Sequence, residues 1–145
     1  MPVFEQVLEK YPGEVKLVFK NFPLRSHQFS MKAALAALAA GSQGKFWEFH
    51  DLLFKNYNQL NDQKIREISL SLGLDEAEFE KKMKDPVLEE RVRQDVLDGR
   101  QAGVNSTPSV FINGRFIRDR SLQGFQAAID SELQKLGKKA AKPAS

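Results

Sequence analysis

The stretch Thr107-Pro108-Ser109-Val110-Phe111-Ile112-Asn113-Gly114-Arg115-Phe116-Ile117 decides the fold. Val110, Phe111 and Ile112 are the β-branched and aromatic residues that suit a half-buried strand. Asn113-Gly114 supplies two residues that tolerate positive φ, as a type I′ turn requires, so Arg115-Phe116-Ile117 is expected back as the paired strand. Pro108 has no N–H to give to a ladder, which places it at the start of its strand. Beyond the hairpin, Ser121 is a helix N-cap. Leu122, Phe125, Ile129, Leu133 and Leu136 then recur on one helical face up to Gly137. The last third of the chain therefore reads as a proline-led hairpin followed by an amphipathic helix.

Upstream of Pro108, residues 30–103 read as helices. Ser30 is a candidate cap for the run Ala33-Ala34-Leu35-Ala36-Ala37-Leu38, which Gly41 closes. Phe46, Phe49 and Leu53 share a face of the next helix, with Trp47 and Phe54 close by. The four aromatic residues of that helix are expected in the core. Asn61 opens a helix holding Ile65, Ile68 and Leu72. Asp75-Glu76-Ala77-Glu78 has capping-box spacing ahead of Phe79 and Met83. Asp85-Pro86 joins an N-cap to a proline at the first helical position, ahead of Leu88, Val92 and Val96. Nearer the start, Phe4, Val7, Leu8 and Tyr11 are spaced as a helix, Pro12-Gly13 is a turn, and Val15-Lys16-Leu17-Val18-Phe19 reads as a strand. The order is that of an α/β chain without internal repeats.

A length of 145 residues fits one domain able to bury a core without disulfide or metal. There is no cysteine, so this chain holds no disulfide, no thiolate ligand and no cysteine nucleophile. The net charge is +3, and Lys138, Lys139 and Lys142 account for that excess. Residues 75–100 carry nine acidic against six basic residues. No basic face is read for nucleic acid, and no apolar run is long enough for a membrane span. The start, Met1-Pro2-Val3-Phe4-Glu5, shows no secretory leader, and the residues leave the compartment open. His27 and His50 are the only histidines, with no carboxylate set at ligand spacing, so no metal site and no cofactor is expected. His50 and Asp51 diverge by about 100° around a helix and are not expected to form a dyad. Glu48, Asp51 and the three arginines Arg115, Arg118 and Arg120 read as solvated charges.

Three separated motifs resemble one family. Residues 107–136 are similar to the second half of a thioredoxin fold. The run Gln43-Gly44-Lys45-Phe46-Trp47-Glu48-Phe49-His50-Asp51-Leu52-Leu53-Phe54 resembles the inserted helix of the DsbA-like thiol-disulfide oxidoreductases, as does Phe22-Pro23-Leu24 with His27 shortly after. Gln101-Ala102-Gly103-Val104-Asn105-Ser106-Thr107-Pro108 resembles the family's approach to a cis-proline. The resemblance spans residues 4–136 in consistent order. It implies a thioredoxin-like domain over residues 1–136, a helical insertion over about 30–103 and a disordered basic tail over 137–145. It implies disulfide formation or exchange in extended or unfolded protein substrates, and a bacterial, periplasmic or extracytoplasmic setting. Thr107 and Pro108 become the substrate-binding candidates, because in that family the backbone before the cis-proline pairs with extended peptide.

The departure is as specific as the match. Members of that family begin with a strand and carry Cys-x-x-Cys at the start of the first helix, whereas this sequence begins inside that helix. The first, central strand and both cysteines are missing, so no catalytic residue carries over. The resemblance places that strand between residues 15–19 and 109–112. Its loss exposes backbone groups that cost roughly 1–3 kcal/mol each if buried unsatisfied. A truncated, redox-inactive form is the favoured expectation. The other resolutions are closure of the two strands on each other, or a strand added by another chain, including a strand-exchanged homodimer through the open sheet. A redox-dead peptide-binding module using the Thr107-Pro108 groove is the alternative function.

Overall fold

The computed structural model describes residues 2–25 and 29–137. They carry helices α1 (Pro2–Lys10), α2 (Ser30–Gly41), α3 (Phe46–Lys55), α4 (Asp62–Ser71), α5 (Glu76–Met83), α6 (Pro86–Gln101) and α7 (Leu122–Lys135). Strands β1 (Phe111–Ile112) and β2 (Arg115–Phe116) lie between α6 and α7. The helix starts follow local chemistry. Asn61 Oδ1 accepts from Lys64 N at 2.7 Å, Asp75 Oδ1 from Glu78 N at 2.9 Å, Asp85 Oδ1 from Val87 N at 2.9 Å and Ser121 Oγ from Gly124 N at 3.0 Å. Each satisfies a first-turn donor that the helix itself leaves without a partner. Ser30 differs from expectation. It is the first helical residue, and its hydroxyl donates to Leu24 O at 2.8 Å. The reciprocal half of the capping box is also replaced. The Asp75 N–H, which the Glu78 side chain would take in a full box, donates to Gln43 Oε1 at 2.8 Å, and Gln43 Nε2 donates to Asp75 O at 3.1 Å.

The chain divides into two units, residues 1–19 with 104–145 and residues 20–103. The second is a helical bundle centred on α2, which packs against α3, α4, α5 and α6. Ala36, Ala37, Ala39 and Ala40 are buried, so small side chains all round α2 allow four helices to approach it. Phe49 of α3 and Phe79 of α5 stack at 5.6 Å between ring centroids within this core. The aromatic residues of α3 divide. Phe49 is fully buried and Phe46 half-buried, but Trp47 is 43% and Phe54 59% exposed. The expectation that all four lie in the core is corrected, because a ten-residue helix turns only one stripe to its neighbours.

In the first unit α1 packs on α7, with Phe4 and Phe125 stacked at 5.5 Å. The buried Tyr11 hydroxyl donates to Asp130 Oδ1 at 2.8 Å. Gly124 sits under the turn before α7, where an added Cβ would collide with the Asp119 side chain and carbonyl. The hairpin forms as its turn residues dictate. Asn113 and Gly114 both take positive φ, 47° and 79°, and Phe111 pairs with Phe116 and Ile112 with Arg115. The regular ladder is shorter than the run from residue 109 suggests.

Residues 15–19 correct the sequence reading more sharply. Their burial alternates as a strand's would, with Val15, Leu17 and Phe19 half-buried and Lys16 and Val18 exposed. They nevertheless join no sheet, since the ladder among the described residues is β1 with β2 alone. A strand is defined by its neighbour's backbone, and none lies alongside. Neither residues 15–19 and β1 closing on each other nor any other repair is present within the described residues. The basic tail from Lys138 onward lies outside the described residues.

Burial first, then the hydrogen bond and charge of Asp130, raises the Tyr11 pKa well above the ordinary tyrosine value. A raised folded-state pKa means the unfolded chain loses its proton first. The stabilisation is whole below about pH 10 and is lost as pH rises past it. Urea unfolding at a series of pH values is expected to show stability falling above about pH 10. In Tyr11→Phe that fall should flatten, and an unchanged slope would place its origin elsewhere.

Candidate functional site

Thr107 and Pro108 are both exposed and lie directly before β1. The peptide bond between them is cis. Two contacts fix the segment. Ser109 Oγ donates to Ser106 O at 2.7 Å, and Arg120 Nη1 donates to Pro108 O at 2.9 Å. Arg120 is therefore more than the solvated charge expected from sequence. It reaches from the segment after β2 to the carbonyl of Pro108 itself. Arg115 and Arg118 are exposed, as their reading required. On the far side of the turn, Ile117 N donates to Val110 O at 2.9 Å, extending the pairing of β1 and β2 by one residue. The result is a short backbone edge with Thr107 at its open end and the β1–β2 hairpin behind it.

His50 lies in the other unit. It is 2% exposed, and its Nδ1 stands 3.3 Å from Asp51 Oδ1. The expected separation of these neighbours is corrected. Their Cβ atoms diverge around the helix, but the side-chain tips reach back towards each other. Phe54 lies 4.6 Å from the His50 ring, Trp47 5.5 Å and Phe46 5.8 Å. Burial lowers the histidine's pKa, and the Asp51 hydrogen bond and charge oppose that from the other side. His27 lies outside the described residues.

One buried polar cluster escaped the sequence reading. Asn21 N and Nδ2 both donate to Asp95 Oδ2, each at 2.9 Å, and both residues are buried. Lys20 Nζ stands 3.5 Å from Asp95 Oδ1 and 3.7 Å from Asp98 Oδ2, at an exposed position where ion pairs contribute little. The cluster holds the chain after residue 19 against α6. Its signal was present, since Asp95 follows Val92 by three residues on the stripe read as apolar. Among the described residues no three His, Asp or Glu side chains gather as metal ligands, and no helix is long and apolar enough to cross a membrane.

A cis-proline hairpin between α1 and α7 in one unit, with a helical bundle inserted in sequence, defines a thioredoxin-like fold with a helical insertion. The chain belongs to the thioredoxin family, whose profile, described as Thioredoxin, matches residues 2–131. Within it the chain is DsbA-like. The thiol-disulfide exchange protein alpha-DsbA2 from Wolbachia pipientis superposes with a TM-score of 0.77 at 25% identity, over 90% of this chain and 72% of that one. A thioredoxin-like oxidoreductase from Silicibacter pomeroyi gives 0.72 at 25% identity, over 92% and 81%. Among curated proteins, Na(+)/H(+) antiporter NhaA 3 of Salinispora tropica is 35% identical over 115 residues, which is 79% of this chain and 18% of the antiporter. A NhaA 1 antiporter of Mycobacterium sp. is 33% identical, over 77% and 19%. The chain thus spans about a fifth of the length of these curated relatives.

The lowered His50 pKa has a measurable consequence. An NMR titration is expected to give a His50 midpoint below about 6.5, the ordinary histidine value. In Asp51→Asn the midpoint should move lower still, because Asp51 is the group that raises it. A wild-type midpoint above 6.5 would contradict the burial argument.

Proposed function

We propose that this chain is a peptide-holding module on a DsbA-like thioredoxin scaffold, one that binds extended or unfolded protein segments along Thr107–Pro108 and performs no dithiol exchange with its own residues. The observation that carries the reading is the exposed Thr107–Pro108 pair, held at the open end of a hairpin by Arg120 and Ser109. An exposed backbone beside a strand start is suited to pair with an extended peptide, which gains affinity from main-chain hydrogen bonds and selectivity from alternate side chains. The family's solved members include a thiol-disulfide exchange protein. Such exchange runs through a thiolate that attacks a disulfide. The 145 residues include no cysteine to supply one. The antiporter names belong to proteins of which this chain matches about a fifth, and ion exchange is not carried over to it.

Two measurements test the two halves of the proposal. In an insulin-reduction or dithiol-oxidation assay the 145-residue chain is expected to give no turnover above buffer, and turnover would overturn the redox-inactive reading. Titration with unfolded or extended peptides should show saturable binding. Thr107→Arg is expected to weaken it at least tenfold, about 1.4 kcal/mol, since the new side chain would stand over the pairing edge. Thr107 is exposed, so the substitution leaves the core untouched. Equal and negligible binding by both proteins would dispose of the peptide reading.

A further inference from the structure

Thr107 and Pro108 stand beside a guanidinium whose charge no described carboxylate answers. Arg120 is exposed, and its Nη1 donates to Pro108 O at 2.9 Å. A carbonyl is a neutral acceptor, so this bond orients the side chain without cancelling its charge. An arginine presents five N–H donors in a planar fork, and Pro108 O occupies one of them. The ion pairs among the described residues all lie elsewhere.

The segment's own acid is held away from this task. Residues 104–121 contain three arginines and one carboxylate, Asp119, which lies between Arg118 and Arg120 in sequence. Asp119 pairs with neither. Its Oδ1 accepts from Ser121 N at 3.0 Å. Hydrogen bonds from the Ser121 side chain and backbone hold its pKa below the ordinary aspartate value. Its carboxyl carbon lies over Gly124 in the first turn of α7, in the space a Cβ at 124 would need. Gly124 thus lets the carboxylate fold down on the start of the helix, where a negative charge is favoured. Arg115 is engaged too: after the Lys135 hydrogen bond, its charge is among the causes that lower the Glu132 pKa. Arg118 and Arg120 remain as exposed cations, and Arg120 is the one fixed at the Thr107–Pro108 edge.

We infer, building on the peptide-holding function proposed above, that Arg120 is a specificity-determining residue that selects extended segments carrying an Asp or Glu next to the stretch held at Thr107–Pro108. A carboxylate offers two acceptor oxygens to the guanidinium fork, and such charge-assisted bonds are stronger than neutral ones. Pro108 O already orders Arg120, so a carboxylate gains these bonds without the full entropic cost of fixing a long side chain. Arg118 adds positive field beside it and favours the same acidic peptides.

The test uses the 145-residue chain and two end-blocked peptides, Gly-Glu-Val-Thr-Val-Glu-Gly and its Gln counterpart Gly-Gln-Val-Thr-Val-Gln-Gly, so that side chains supply the only carboxylates. By calorimetry at low salt the Glu peptide should bind about three- to fivefold more tightly, the range of an exposed charge pair, and added salt should close the gap. The deciding quantity is the ratio of the two affinities. Arg120→Gln should bring that ratio to one with the helical circular dichroism unchanged, and Arg120→Lys, which keeps the charge, should leave the Glu peptide ahead. An Arg120 that only props Pro108 O would, when replaced by Gln, weaken both peptides together and leave the ratio as it was, and that result would overturn the inference. Equal affinity of the unaltered chain for the two peptides would also overturn it, while leaving the peptide-holding function in place. Binding of neither peptide would remove both.

Discussion

Peptide groups in a strand lie in the plane of the sheet and must find partners on both sides, in backbone or in water. In the unit that contains β1 and β2 this requirement is met by backbone along the facing sides of those two strands. Ile117 closes on Val110 behind the Asn113–Gly114 turn, and beyond β1 the backbone stands open. Residues 15–18 have no backbone partner at all within the described chain. The unit holds together through its helices instead. Phe4 stacks on Phe125, Tyr11 donates to Asp130, and Val7 and Ile129 are buried in the same cluster. That core holds Val15 and Ile112, which both line one groove.

What could be read from sequence was what local chemistry decides. Asn61, Asp75, Asp85 and Ser121 cap helices because an Asx or Ser oxygen reaches its own first turn, whatever packs nearby. The hairpin turn followed from two residues that accept positive φ. The features that escaped depend on distant partners. Asp95 is a buried acceptor only because Asn21 arrives from elsewhere in the chain. Residues 15–19 have strand composition and strand burial, yet a strand needs a neighbour that no single segment can reveal. Trp47 and Phe54 lie over His50 rather than in the bundle, because α3 turns only one stripe to its neighbours.

The candidate site was legible as a pair of residues and not as a geometry. Thr107-Pro108 followed from the strand start and the family resemblance. The guanidinium that holds Pro108 O in place comes from Arg120, which charge patterning alone assigns to solvent. The fold matches thiol-disulfide exchange proteins while the chain carries no thiol of its own. On the proposed reading the exposed Thr107–Pro108 pair ahead of β1 holds peptide, and this chain supplies no cysteine for exchange.

The backbone at residues 15–18 and the outer edge of Phe111 stand open within one unit. Amide hydrogen exchange of the free 145-residue chain tests this most directly. The account predicts near-unprotected exchange at residues 15–18 and Phe111, beside clear protection at Ile117, whose N–H is bonded to Val110 O. Protection at residues 15–18 equal to that at Ile117, in a monomer, would contradict it.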